Sequence, residues 1–234
     1  MTILTKIKKE LAGLSDKSLQ ENSRRFFKET IKCYGVRTSV VRDLAKKHFK
    51  ELKDQDKKTI FALCEKLWKS GIIEESFIAS YWTYSLRKQF QPEDFKIFEK
   101  WIKTYVNNWA SCDGFCTSVM GEFLLLFPGY VSELKKWAKD ENRWVKRAAS
   151  VSLIRPAGKG EFISDVFGIA RLLLKDNDDL VQKGYGWLLK VASQRHEQEV
   201  FDFVMKKKNT MPRTALRYAI ENMPEKLKKL AMAK

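Results

Sequence analysis

The sequence predicts an all-α protein, an α-α superhelix in which helix pairs stack into a solenoid. Three observations predict it. Apolar residues recur at spacings of three and four, as in Ile60, Leu63, Cys64, Leu67 and Trp68 and again in Phe95, Phe98, Ile102 and Tyr105, which is the period of a helix with one buried face. No stretch alternates apolar and polar residues for long enough to make a half-buried strand. Part of the chain also repeats: "KDENRWVKRAASVSL" from Lys139 lies over "KDNDDLVQKGYGWLL" from Lys175 at an offset of 36 residues, with Val145 over Val181 and Arg147 over Lys183. A helix pair of that length cannot bury its apolar stripe alone, so neighbouring pairs stack.

The elements follow in order. The opening "MTILTKIKKELAGL" is an amphipathic helix interrupted by Lys8, Lys9 and Glu10, which makes it neither a signal peptide nor a membrane span. Asp16 is placed to cap the helix of "KSLQENSRRFF", because a short carboxylate accepts the first unpaired N–H groups. Pro92 with Glu93 and Asp94 opens a first turn, and Asp140 starts the helix of "ENRWVKRAA". The five prolines, Pro92, Pro128, Pro156, Pro212 and Pro224, mark helix breaks, since each ring removes a donor and clashes with the preceding turn. Helices at intervals of roughly 12 to 20 residues give about a dozen in all. A looser third copy sets Asn107, Asn108 and Trp109 over Asn142, Arg143 and Trp144 at an offset of 35 residues. Residues 1–234 are expected to form one domain.

Stacked pairs curve, and curvature makes a concave face. If the second helix of each pair lines that face, equivalent positions of successive repeats point into one groove about 10 Å apart. That arrangement would unite Trp109, Asp113, Arg147 and Trp187. Lys and Arg total 45 against 29 Asp and Glu, a net charge of +16 and a pI near 9.6, so the groove is expected to be basic and to attract a polyanion, double-stranded DNA first of all. No membrane association is expected, and a cytoplasmic monomer, nucleoid-associated in a prokaryote, is.

The chemical inventory is small. Four scattered cysteines, Cys33, Cys64, Cys112 and Cys116, and two histidines, His48 and His196, make no zinc pattern; reduced, mostly core thiols and no metal or cofactor are expected. No Ser/His/Asp arrangement and no phosphate-binding glycine loop is present. One reaction fits such poverty. An N-alkylated purine in DNA carries a positive charge, so its glycosidic bond breaks without a strong general acid, and one carboxylate suffices to stabilise the oxocarbenium-like sugar and place a water. In "NNWASCDGF" Asp113 stands four residues after Trp109, one helical turn away. An indole face attracts a cationic base or sugar by about 0.5 to 2 kcal/mol; Trp109 and Trp187 are candidates for such walls. Arg147 in "WVKRAAS" could hold a flanking phosphate.

Plainer readings stand beside these. Trp68, Trp82 and Trp101 lie on apolar stripes and belong to the core. Trp109 differs because Asn107, Asn108 and Ser111 around it are polar. Leu188 and Leu189 beside Trp187 look buried, while Gly184 and Gly186 inside a helix imply close backbone approach. Asp113 is as readily an N-cap, and Arg147 a solvated or ion-paired side chain.

At these residues, above all "NWASCDGF", "RWVKRAA" and "VQKGYGWLLK", the sequence resembles the AlkD-like DNA alkylation repair glycosylases, which are built of HEAT-like helical repeats. The resemblance runs from about Tyr34 in "YGVRTS" to Met223 in "MPRTALRYAIENM". It implies hydrolytic excision of cationic N3- and N7-alkylated purines, such as 3-methyladenine and 7-methylguanine, from duplex DNA without base flipping, by a monofunctional enzyme. Asp113 matches the family's catalytic carboxylate, Trp109 and Trp187 its aromatic pair, and Arg147 the arginine beside the lesion. Arg37 and Thr38 fall in a DNA-contacting loop, and Lys183 and Lys190 flank Trp187 as phosphate contacts. In one member of the family a glutamine stands at the Arg37 position and a tyrosine at Phe26, and Lys190 replaces an arginine. The alternative is a non-catalytic HEAT-like module that binds damaged, bent or branched DNA.

Overall fold

The computed structural model describes residues 1–233, and no strand occurs among them. Its nearest approach to a sheet is one parallel bridge between Lys32 and Ile72. The all-α expectation holds. The chain divides into two compact units, Met1–Phe115 and Cys116–Lys234.

The first unit carries α1 (Ile3–Gly13), α2 (Lys17–Phe26), α3 (Thr38–Phe49), α4 (Lys57–Trp68), α5 (Ile73–Ser85), α6 (Asp94–Tyr105) and α7 (Trp109–Phe115). Asp16 caps α2 as predicted, accepting from the Leu19 N–H at 3.1 Å. α5 sits at the centre against α3, α4 and α7, and nine of its thirteen residues are buried, so it lacks a wet face. The core is aromatic: Trp68, Phe98, Trp101 and Phe115 pack with ring centroids 5.5 to 6.5 Å apart, in the tilted and edge-on geometries that ring quadrupoles favour. Cys64 and Cys112 are buried, and burial pushes the Cys64 thiol up to about 12. α2 stands apart, because none of its residues is buried.

The second unit opens with a π turn at Cys116–Met120 and carries α8 (Gly121–Leu126), α9 (Val131–Trp137), α10 (Arg143–Val151), α11 (Ile154–Gly158), α12 (Ile163–Leu173), α13 (Asp179–Ala192), α14 (Glu197–Lys207), α15 (Arg213–Ile220) and α16 (Glu225–Met232). α13 is its centre, packed on α10, α11, α12 and α15. The predicted close approach is real. A Cβ on Gly184 would lie 2.9 Å from Ser150 Oγ, and one on Gly186 would lie 2.7 Å from Tyr218 Cβ and 2.9 Å from the Ala215 carbonyl.

Several boundaries differ from the sequence reading. There are sixteen α-helical segments among the described residues rather than about a dozen, because short turns split single apolar patterns. Pro156 does not make the break after α10. The chain turns at Ser152 and Leu153, and Pro156 is the third residue of α11, in a first turn where no intrahelical N–H is lost. Asp140 is not the cap of α10 either: its Oδ1 accepts from the Asn142 N–H at 2.9 Å, and Asn142 Oδ1 accepts from the Trp144 N–H at 2.9 Å. The same two-step cap recurs before α13, where Asp176 Oδ1 accepts from Asp178 and Asp178 Oδ1 from Leu180, each at 2.9 Å. The 36-residue repeat therefore reproduces a helix start group by group. Among the described residues no single helix is long and apolar enough to cross a membrane.

Candidate functional site

In the first unit α7 is capped by Asn108, whose Oδ1 accepts from the Ser111 N–H at 2.8 Å while its amide reaches Asn107 Oδ1 and Ser111 Oγ. Ser111 Oγ in turn lies 2.7 Å from Ser76 Oγ of α5. This buried polar knot fixes the rotation of α7. Ser111, Cys112 and Phe115 face inward, while Trp109 and Asp113, four residues apart, share the partly exposed stripe. Asp113 is the fifth residue of α7, so the N-cap reading fails and Asn108 has that role. With the cap at Asn108, Trp109 corresponds to Arg143 rather than Trp144, and the third repeat copy is out of register by one residue.

The sequence did not point to Phe27. Its ring stacks on Trp109 with centroids 5.0 Å apart and planes 14° from parallel, so one indole face is covered and the plate is held still. Phe26, one residue earlier, is 78% exposed. No periodicity marks such a pair, since Phe27 follows the end of α2 in an extended backbone. Arg37 and Thr38, exposed, lie at the start of α3.

In the second unit α10 and α13 carry the other candidates. Arg147 is only 6% exposed, and its Nη1 donates to the Leu180 carbonyl of α13. The absent side chain of Gly184 leaves the room it occupies, for a Cβ there would lie 3.4 Å from Arg147 Cγ. The solvated reading of Arg147 is thereby excluded. Trp187, three residues on from Gly184, is partly exposed. Lys183 lies 3.3 Å from Asp179, and Lys190 pairs with Glu221 at 3.0 Å, 5.7 Å over the Tyr218 ring. Arg143 and Lys146 of α10 bind the two carboxylates of the α13 cap, Asp178 at 2.8 Å and Asp176 at 2.7 Å.

One regularity separates Trp109 and Trp187 from the rest. Of the seven tryptophans, Trp68, Trp82, Trp101, Trp137 and Trp144 are buried; these two are not. Among the described residues no group of three or more His, Cys, Asp or Glu is placed to hold a metal ion.

Comparison with known proteins bears on the same residues. The fold is shared with a solved structure described as a predicted DNA alkylation repair enzyme from Enterococcus faecalis, at a TM-score of 0.79 and 16% identity over 90% of this chain and 97% of that one. A search of curated proteins finds no match. The sequence model of the DNA alkylation repair enzyme family matches residues 7–223, a span that includes every candidate above. The chain belongs to the family of DNA alkylation repair enzymes.

Proposed function

We propose that the protein is a monofunctional DNA glycosylase that hydrolyses the N-glycosidic bond of cationic N3- and N7-alkylated purines in duplex DNA, without extruding the base. The observation that carries the reading is the pairing on α7 of a partly exposed indole and a carboxylate one turn apart, in a chain whose five buried tryptophans are structural. As the C1′–N bond breaks, its electron pair goes to the purine, which leaves neutral, and the positive charge moves to the sugar. Asp113 faces that charge as it develops, and an ionised carboxylate stabilises the oxocarbenium more than the ground state. A water adds at C1′ and gives up its proton to Asp113 or to solvent. Trp109, backed by Phe27, offers a π face to the same cation. In the second unit the partly exposed Trp187 is a further candidate aromatic contact, and Arg37, Thr38, Lys183 and Lys190 are the backbone contacts of this reading, whereas Arg147, buried with its Nη1 on the Leu180 carbonyl, holds α10 against α13. No cofactor enters.

The test is release of free base from a duplex carrying 7-methylguanine. The parent should release it, and Asp113→Asn should lose about 100-fold or more in single-turnover rate while binding the duplex at least as tightly, since a negative charge near phosphates is gone. A parent that binds but releases nothing is the non-catalytic module instead.

A further inference from the structure

We infer that Glu74 is a positioning residue for DNA binding: its buried carboxylate gathers three successive backbone N–H groups of the α2–α3 connector and so sets Arg37 and Thr38 against the duplex. The inference rests on the reading of those two residues as DNA contacts. Eleven residues, Phe27 to Arg37, join α2 to α3 without a helix, and a connector of that length wanders unless something pins it.

The pin is visible. Tyr34 N–H donates to Glu74 Oε2 at 3.0 Å, and Gly35 and Val36 N–H donate to Oε1 at 2.8 and 3.1 Å. Consecutive N–H groups converging on one anion form a nest. From the other side the Tyr34 carbonyl accepts from Ser15 Oγ at 2.7 Å and Gln20 Nε2 at 2.8 Å, and the Tyr34 hydroxyl donates to Glu75 at 2.9 Å. Gly35 sits at φ +75, where a Cβ would lie 2.4 Å from the Asp16 carbonyl. Glu74 itself is 4% exposed. A carboxylate is costly to bury unless its acceptors are filled, and here the connector fills them.

What the pin holds is also specific. Val36 is half-buried, and the next three residues, Arg37, Thr38 and Ser39, are exposed. Many cations of this unit are engaged: Lys6 with Glu51, Lys47 with Glu10, Lys57 with Asp94 and Lys100 with Glu65, all within 3.0 Å. Arg37 has no such partner among the described residues. Its backbone is fixed while its guanidinium remains uncommitted, the combination that lowers the ordering cost of gripping a phosphate.

A double-mutant cycle on unmodified duplex tests this. Arg37→Ala/Thr38→Ala should weaken binding and flatten its salt dependence by about one phosphate contact. Glu74→Gln, which turns one acceptor into a donor facing N–H groups, should do nearly the same. The triple variant should bind within about twofold of the Arg37/Thr38 pair, because Glu74 acts only through them. Glu74→Asp, which keeps the charge on a shorter arm, goes through the same cycle should Glu74→Gln melt. Losses that multiply would mark Glu74 as merely structural, and an Arg37/Thr38 pair without effect would remove the contact it serves; either overturns the inference. Because undamaged DNA is the probe, failure to release a damaged base counts against the catalytic reading alone.

Discussion

Trp109 and Trp144 stand at the starts of α7 and α10, yet chemistry and packing divide them. Trp144 is 7% exposed and Trp109 is part-exposed with Phe27 on one face. Truncating a buried indole removes its transfer energy and leaves a cavity, so Trp144→Ala should cost about 3 to 5 kcal/mol in thermal or urea unfolding. Trp109→Ala should cost roughly 1 to 2 kcal/mol, since much of its surface is already wet, but should slow base release at least tenfold while unfolding remains cooperative. Equal losses of stability in the two variants, with base release tracking them, would make Trp109 another core residue. The sequence set Trp109 apart from Trp68, Trp82 and Trp101 through its polar neighbours Asn107, Asn108 and Ser111, two of which form the cap that turns it outward, but it aligned Trp109 with Trp144 and did not separate those two. It could not show that Arg147 is buried. That depends on a gap at Gly184, 37 residues away in the chain.

At the scale of the element, α13 was the most legible helix. The repeat ties its start to that of α10, two residues after the aspartate read as the cap, and its two glycines announce close approach by neighbouring helices. Inside an ordinary helix Gly→Ala stabilises by about 0.5 to 1 kcal/mol, and Gly13, with nothing within 4 Å of its absent Cβ, should behave so. Gly186→Ala should reverse the sign. Its methyl group would meet Tyr218 Cβ at 2.7 Å and backbone of Ala215 at 2.9 Å, and forcing α13 and α15 apart costs about 1 to 3 kcal/mol. Urea unfolding of the two variants side by side checks this, and a Gly186→Ala protein as stable as the parent would show that the helices slide apart freely. Less legible were the places where geometry turns on a single donor. Asp140 and Asn142 are both good caps, and only the structure shows them acting in series. The connector after α2 has no periodicity to read, so neither Phe27 on Trp109 nor Glu74 under Tyr34 could be foreseen.

For the molecule as a whole the governing quantity is charge. Sixteen cations remain in excess even if every acid is paired within the chain, and such a field draws a polyanion from any direction. Excess alone does not make contacts, however. Lys146 and Lys190 lie within 3.0 Å of carboxylates, as do Lys6, Lys47, Lys57 and Lys100, and a lysine so engaged releases few counterions when DNA arrives, because it must first give up its partner. Binding to duplex should therefore depend on salt through a handful of phosphates rather than through the full net charge. If about five or six phosphates are neutralised, the logarithm of affinity falls with the logarithm of salt at a slope near −5, roughly a thousandfold between 50 and 200 mM. Lys190→Ala should reduce the size of that slope by up to about one, as the ammonium leaves Glu221 for a phosphate, and an unchanged slope would strike Lys190 from the backbone contacts. A slope near zero for the parent would remove the duplex as partner and leave its charge to solubility alone. A slope near −14, the value for all sixteen excess cations acting at once, would mean that the duplex engages every unpaired cation rather than a handful.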